Sequence, residues 1–101
     1  MKKSALIVVD YSNDFVADNG QLTCGKAGQQ IEKYIVERIE AYNREKQEIF
    51  FMMDLHFEED PYHPETKLFP QHNIEVTTGR QLYGKVKSFI DKYKNEDTVH
   101  Y

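Results

Sequence analysis

Tryptophan is absent from this 101-residue chain, cysteine occurs once, and its three prolines, Pro61, Pro64 and Pro70, all fall in one stretch. A single thiol, Cys24, excludes an internal disulfide and any Cys-x-x-Cys metal or redox motif. No apolar run approaches the roughly 20 residues of a membrane span, so no membrane partner is expected. The basic start Met1-Lys2-Lys3-Ser4 leads only into Ala5–Val9 before Asp10, too short for the apolar region of a secretion signal. An excess of basic charge is also missing. Lys and Arg number 13 against 17 Asp and Glu, a net charge of −4, so the counterion release that drives nucleic-acid binding is not supplied. A cytoplasmic protein with no nucleic-acid partner is expected.

With 40% hydrophobic and 30% charged residues, the chain has the composition of one globular domain. Such a length buries about two-thirds of its unfolded surface. Ala5-Leu6-Ile7-Val8-Val9 reads as a strand buried on both faces of a parallel sheet. A polar loop over 11–25 follows. Ile31, Tyr34, Ile35, Ile39 and Tyr42 then form one helical stripe within 26–47. Ile49–Met53 makes a second buried strand, and a long proline-containing loop runs from His56 to about Gly79. Leu82, Val86, Phe89, Ile90 and Tyr93 predict a helix from about Arg80 to Lys94, with Lys85, Lys87, Lys92 and Lys94 on its solvated side. Thr98–Tyr101 begins a third strand. The expected fold is an α/β open parallel sheet with helices on its faces, stopping near the start of the third strand. Open sheets usually carry about four to six strands. Strand 5–9 is therefore expected to present an unpaired edge that pairs with a partner strand or supports a homo-oligomer.

Chemistry concentrates at the strand ends. Asp10 closes the first strand, where open α/β sheets place their ligands. It reads as a general base or orienting carboxylate, or else as a loop acid capping its own turn. Asp54 and His56 share one face of extended chain about 7 Å apart at Cα, a spacing that suits two ligands of one ion. Glu65 and His72 lie in the loop that follows. Imidazole with carboxylate fits zinc, manganese or iron(II) better than copper(I) or an iron–sulfur cluster. His63 and His100 lack such company. Phe15 and Leu22 either line a small apolar pocket or pack beneath the first loop. Cys24 has no histidine among Thr23, Gly25 and Lys26, which argues against a nucleophile.

Three segments together resemble a known family. Val9-Asp10-Tyr11-Ser12-Asn13-Asp14-Phe15, Asp54-Leu55-His56 and Leu68-Phe69-Pro70-Gln71-His72 are similar in order and spacing to motifs of the isochorismatase-like cysteine hydrolases, and within these to bacterial nicotinamidases. The resemblance runs the length of the chain. It implies a Rossmann-like three-layer fold of which residues 1–101 are the N-terminal half, and hydrolysis of nicotinamide or a similar amide to the acid and ammonia in NAD salvage. It also implies that Asp10 is the triad carboxylate, that Asp54, His56, Glu65 and His72 hold a divalent metal, zinc first, and that Phe15 lines the pyridine pocket with Leu22 nearby. The family's lysine and nucleophilic cysteine fall later than Tyr101, so the 101 residues alone are expected to be inactive. Ser12 stands where glutamine is often found, a departure expected to matter little. Val76 stands where glycine is usual, and a positive φ there would strain the turn that positions His72.

Two other classes compete. One is a receiver domain in which Asp54 accepts a phosphoryl group; it needs a further strand and helix between Asp10 and Asp54. The other is a catalytically inactive remnant that binds a metal or a partner.

Overall fold

The computed structural model describes residues 3–58, 60 and 68–101. Three parallel strands, β1 (Ala5–Val9), β2 (Glu48–Met52) and β3 (Val99–His100), lie in the order β1-β2-β3. Parallel neighbours need crossovers, and helices α3 (Glu32–Arg44) and α4 (Gly84–Tyr93) supply them. The register sets Leu6 beside Ile49 and Val8 beside Phe51, with Ile49 in turn beside Val99. These side chains share a face. Ile39 of α3 and Val86 and Ile90 of α4 join Val8, Ile49, Phe51 and Val99 in one buried cluster.

Both long helices thus cover the same side of the sheet. On the opposite side Ile7, Val9 and Met52 are 58%, 64% and 55% exposed, so among the described residues β1 is buried on one face and not on two. Its outer edge adjoins a groove lined by Ile7, Val9, Ile31, Tyr34 and Arg38. Ile31 and Tyr34 were expected on the buried stripe of the first crossover. They are exposed and face this groove, while Ile35, Val36, Ile39 and Tyr42 make the core contacts.

The crossover is also two helices, α2 (Lys26–Gln29) and α3, where the sequence predicts one. Tertiary bonds hold α2 to the first loop. Gln29 Nε2 donates to Val16 O (2.9 Å) and Asp18 Oδ1 (2.7 Å), and the Tyr11 hydroxyl donates to Gly28 O (2.6 Å). Burial, with Glu32, Tyr83 and Cys24 adding to it, pushes the Tyr11 phenol up to about 12, so it stays the donor. A short helix α1 (Asn13–Val16) interrupts the predicted polar loop.

The last helix begins at Gly84, four residues after the predicted start, because Thr78–Arg80 forms a 3-10 turn instead. Glu32 Oε2 accepts the Lys85 N–H (3.1 Å), which places a carboxylate at the N-terminus of α4. Gly84 has φ 54°, and a Cβ there would strike that carboxylate. The positive φ is what favours glycine, since the Glu32 side chain is flexible enough to yield to a Cβ. For the core, Ile39→Ala removes a fully buried side chain and should cost about 2–5 kcal/mol. That is a large share of the stability of a small domain, and urea unfolding should show it as a lower midpoint.

Candidate metal centre

The C-terminal ends of β1 and β2 are tied through a carboxylate. Asp10 adopts φ 54°, donates its N–H to Met52 O (2.8 Å) and accepts the Asp54 N–H on Oδ1 (2.8 Å). Asp10 thereby fixes the first residue of the Asp-x-His segment. Arg80 Nε donates to Asp54 O (2.9 Å) and secures the same residue from the far loop.

His56 is held by a short parallel bridge to Ile74. Its N–H donates to Asn73 O (3.0 Å) and its carbonyl accepts the Glu75 N–H (2.9 Å). His72 is buried, and its Nδ1 lies 2.7 Å from Pro70 O. A carbonyl can only accept, so Nδ1 is the donor, and the neutral ring with its proton there has the Nε2 lone pair for a metal. The His56 and His72 rings meet edge to face at 4.8 Å, and His56 Nε2 lies 3.7 Å from Asp54 Oδ2.

One ligand atom from each of Asp54, His56 and His72 lies within 4.8 Å of the others. A tetrahedral zinc with bonds of about 2.0–2.2 Å holds its donors about 3.3–3.6 Å apart, so the widest of these separations must close by roughly 1.3 Å when an ion binds. Two imidazoles and a carboxylate also match the chemistry of such an ion. The residues fit the group. Glu65 and His63 lie outside the described residues. Phe15 packs its ring on His72 with centroids 5.3 Å apart, which brings it to the cluster. Leu22 is half-buried in the same loop, its N–H bonded to Asp14 O (3.0 Å). Cys24 is exposed, and its thiol donates to Phe15 O (3.0 Å). His100 is on the open sheet face, stacked on Phe50 and 2.9 Å from Glu48 Oε2.

Sequence reasoning passed over the residues that join the motifs. Among the described residues the buried polar side chains are Ser12, Asp14, His72 and Asn73, and three of them form one network. Ser12 Oγ donates to Asn73 Oδ1 (2.7 Å), and the Asn73 N–H donates to Asp14 Oδ2 (2.7 Å). Ser12, expected to matter little, is fully buried in this network. The signal was present only as the Asn-Asp-Phe triplet, whose partners lie about sixty positions away.

Val76 does adopt the left-handed conformation, φ 62°, and is 99% exposed. A β-branched residue is strained there, and no packing compensates. Val76→Gly should raise stability by about 1 kcal/mol, the relief of roughly 1–2 kcal/mol being partly offset by glycine's freedom when unfolded. A higher urea midpoint with an unchanged denaturant slope would show it.

No protein-family model matches the chain. It is 46% identical over 99 residues to the uncharacterized isochorismatase family protein PncA of Bacillus subtilis (strain 168), a match covering 98% of this chain and 54% of that protein. The solved pyrazinamidase/nicotinamidase of Streptococcus mutans UA159 superimposes with TM-score 0.92 at 49% identity, over 95% of this chain and 53% of that one. A pyrazinamidase of Pyrococcus horikoshii, solved in complex with zinc, aligns with TM-score 0.68 at 29% identity, over 77% of this chain and 43% of that one. The chain thus spans about half the length of the relatives it matches. Sequence and parallel-sheet fold together establish that the chain belongs to the isochorismatase family.

Proposed function

We propose that these residues are the N-terminal half of a single nicotinamidase-type hydrolase domain, the half that carries the metal centre and the triad carboxylate. The whole enzyme would convert nicotinamide and water to nicotinate and ammonia in cytoplasmic NAD salvage. One observation carries the reading: Asp54, His56 and His72 converge beyond the end of β2 in a chain of this family. Zinc is the first choice of ion, supported by the donor set and by the zinc-bound relative, with manganese and iron(II) compatible. Glu65 is assigned as a further ligand from its motif alone. Bound there, a divalent ion supplies Lewis-acid polarisation of the substrate.

The chain's own residues then have separate tasks. Asp10, anchored on the Asp54 N–H, holds a carboxylate at the crevice beyond β1 for proton transfer. Phe15 offers an apolar face beside His72 for a planar ring, with Leu22 assigned to the same wall. The lysine and the attacking cysteine are assigned to the remainder of the fold, since Cys24 is committed to a backbone carbonyl on the surface.

The strand order supports this assignment. In a receiver the first strand lies between the second and third, whereas here β2 is central. The order β1-β2-β3 is one half of a doubly wound sheet, whose next strand pairs with the outer edge of β1. That edge is assigned to a strand, and the open face with Ile7, Val9 and Met52 to helices, supplied by the rest of the fold or by a second copy of this chain. The strain at Val76 favours a second reading, a non-catalytic chain that binds a metal or partner.

The test is ammonia release from nicotinamide in the presence of zinc. The 101 residues alone should release none, and adding the remaining half of the Bacillus subtilis relative as a separate polypeptide should restore release that Asp10→Ala abolishes. Release by the 101 residues alone would refute the assignment of lysine and cysteine elsewhere. Complementation that fails although the two halves associate would favour the non-catalytic reading.

A further inference from the structure

The 72–73 peptide unit is gripped on its N–H by Asp14 Oδ2 (2.7 Å), and Asn73 O accepts the His56 N–H (3.0 Å). That peptide is bonded directly to His72, so its plane sets the direction in which the imidazole leaves the chain. The same residue, through its carbonyl, sets the height of His56. Asp14 is itself immobilised: it is buried, its Oδ1 accepts the Gln21 N–H (3.2 Å), and a Cβ at Gly79 would collide with its carboxylate. Asn73 has φ 47°, a conformation that asparagine tolerates better than most residues, and Ser12 fixes its side chain.

We propose that Asp14 is a positioning residue for the two imidazoles, aligning His72 through the 72–73 peptide and His56 through Asn73. The proposal rests on the metal-centre reading and is separable from it. Outer partners of metal-binding histidines typically change affinity about 10–100-fold. Most such partners bond the ring; here the ring's own partner is Pro70 O, and Asp14 acts on the backbone.

Asp14→Asn tests this, because the amide keeps the shape but must turn its NH2 group toward one of two backbone N–H donors. In the metal-free chain, the ¹⁵N resonances of the His56 and His72 rings should move in Asp14→Asn, while those of His100, bonded to Glu48 on the open face, stay in place. Cobalt(II) added to the same samples should bind about 10–100-fold more weakly, with altered visible bands. A loop that merely lost stability would lower the urea midpoint without moving the two rings selectively. Rings that do not move would overturn the proposal. If the wild-type chain binds no cobalt, the metal-centre reading is lost and the ring shifts alone decide the positioning role. Should Asp14→Asn unfold, Gly79→Ala displaces the same carboxylate while keeping its charge, and the same selective shift is expected.

Discussion

A single buried carboxylate couples the first loop of this chain to the loop that brings His72 back toward β2. The bond from the Asn73 N–H to Asp14 joins residues 11–22 to 72–83 in the interior, alongside the buried Ser12 Oγ to Asn73 Oδ1 bond. Around it the contacts are reciprocal: Asn13 N–H to Gln81 O (2.9 Å), Asn13 Nδ2 to Thr78 O (2.8 Å), Tyr83 N–H to Tyr11 O (2.9 Å). The sheet positions Asp10 and Asp54, but it reaches neither His72 nor Phe15. Those depend on the stitched loops, and a buried acceptor makes the stitch costly to break.

This division explains what was legible in the residues. β1 and β2 were readable as compact β-branched and aromatic runs, and Asp10, Asp54 and His56 follow from where those runs end. Ile39, Val86 and Ile90 follow from helical period. The break between α2 and α3 was not readable, because no proline or glycine marks Gln30–Ile31; it depends on Gln29 and Gly28 bonding to distant residues. Helix α1, a single turn, is too short to show a period. The start of α4 was misplaced because Leu82 continues the apolar spacing ahead of Val86, whereas the carboxylate at the helix start comes from Glu32, 53 residues before Lys85. Asp14 was hidden for the same reason. Its burial is a property of its partners, and no local pattern marks an acid that will accept two backbone donors.

Three of the four described non-glycine residues at positive φ, Asp10, Asn73 and Val76, adjoin a segment that carries or orients a ligand, the fourth being Lys46 in the turn before β2. Asparagine and aspartate take this conformation at modest cost, so the first two are compatible with a well-adapted site. Valine is not, and its full exposure means that nothing nearby offsets the strain. The open face of the sheet is a separate matter. The edge beside it places β1, the strand that presents Asp10, at the boundary where a further strand would complete both the sheet and the crevice.

The central claim is that Asp54, His56 and His72 form one metal centre, and X-ray absorption at the zinc edge of the zinc-loaded chain tests it most directly. The account predicts one zinc per chain with two imidazoles bound and oxygen in the remaining positions, and loss of one imidazole in His72→Ala. A zinc environment made only of oxygen, or one with two imidazoles that survive His72→Ala, would contradict it.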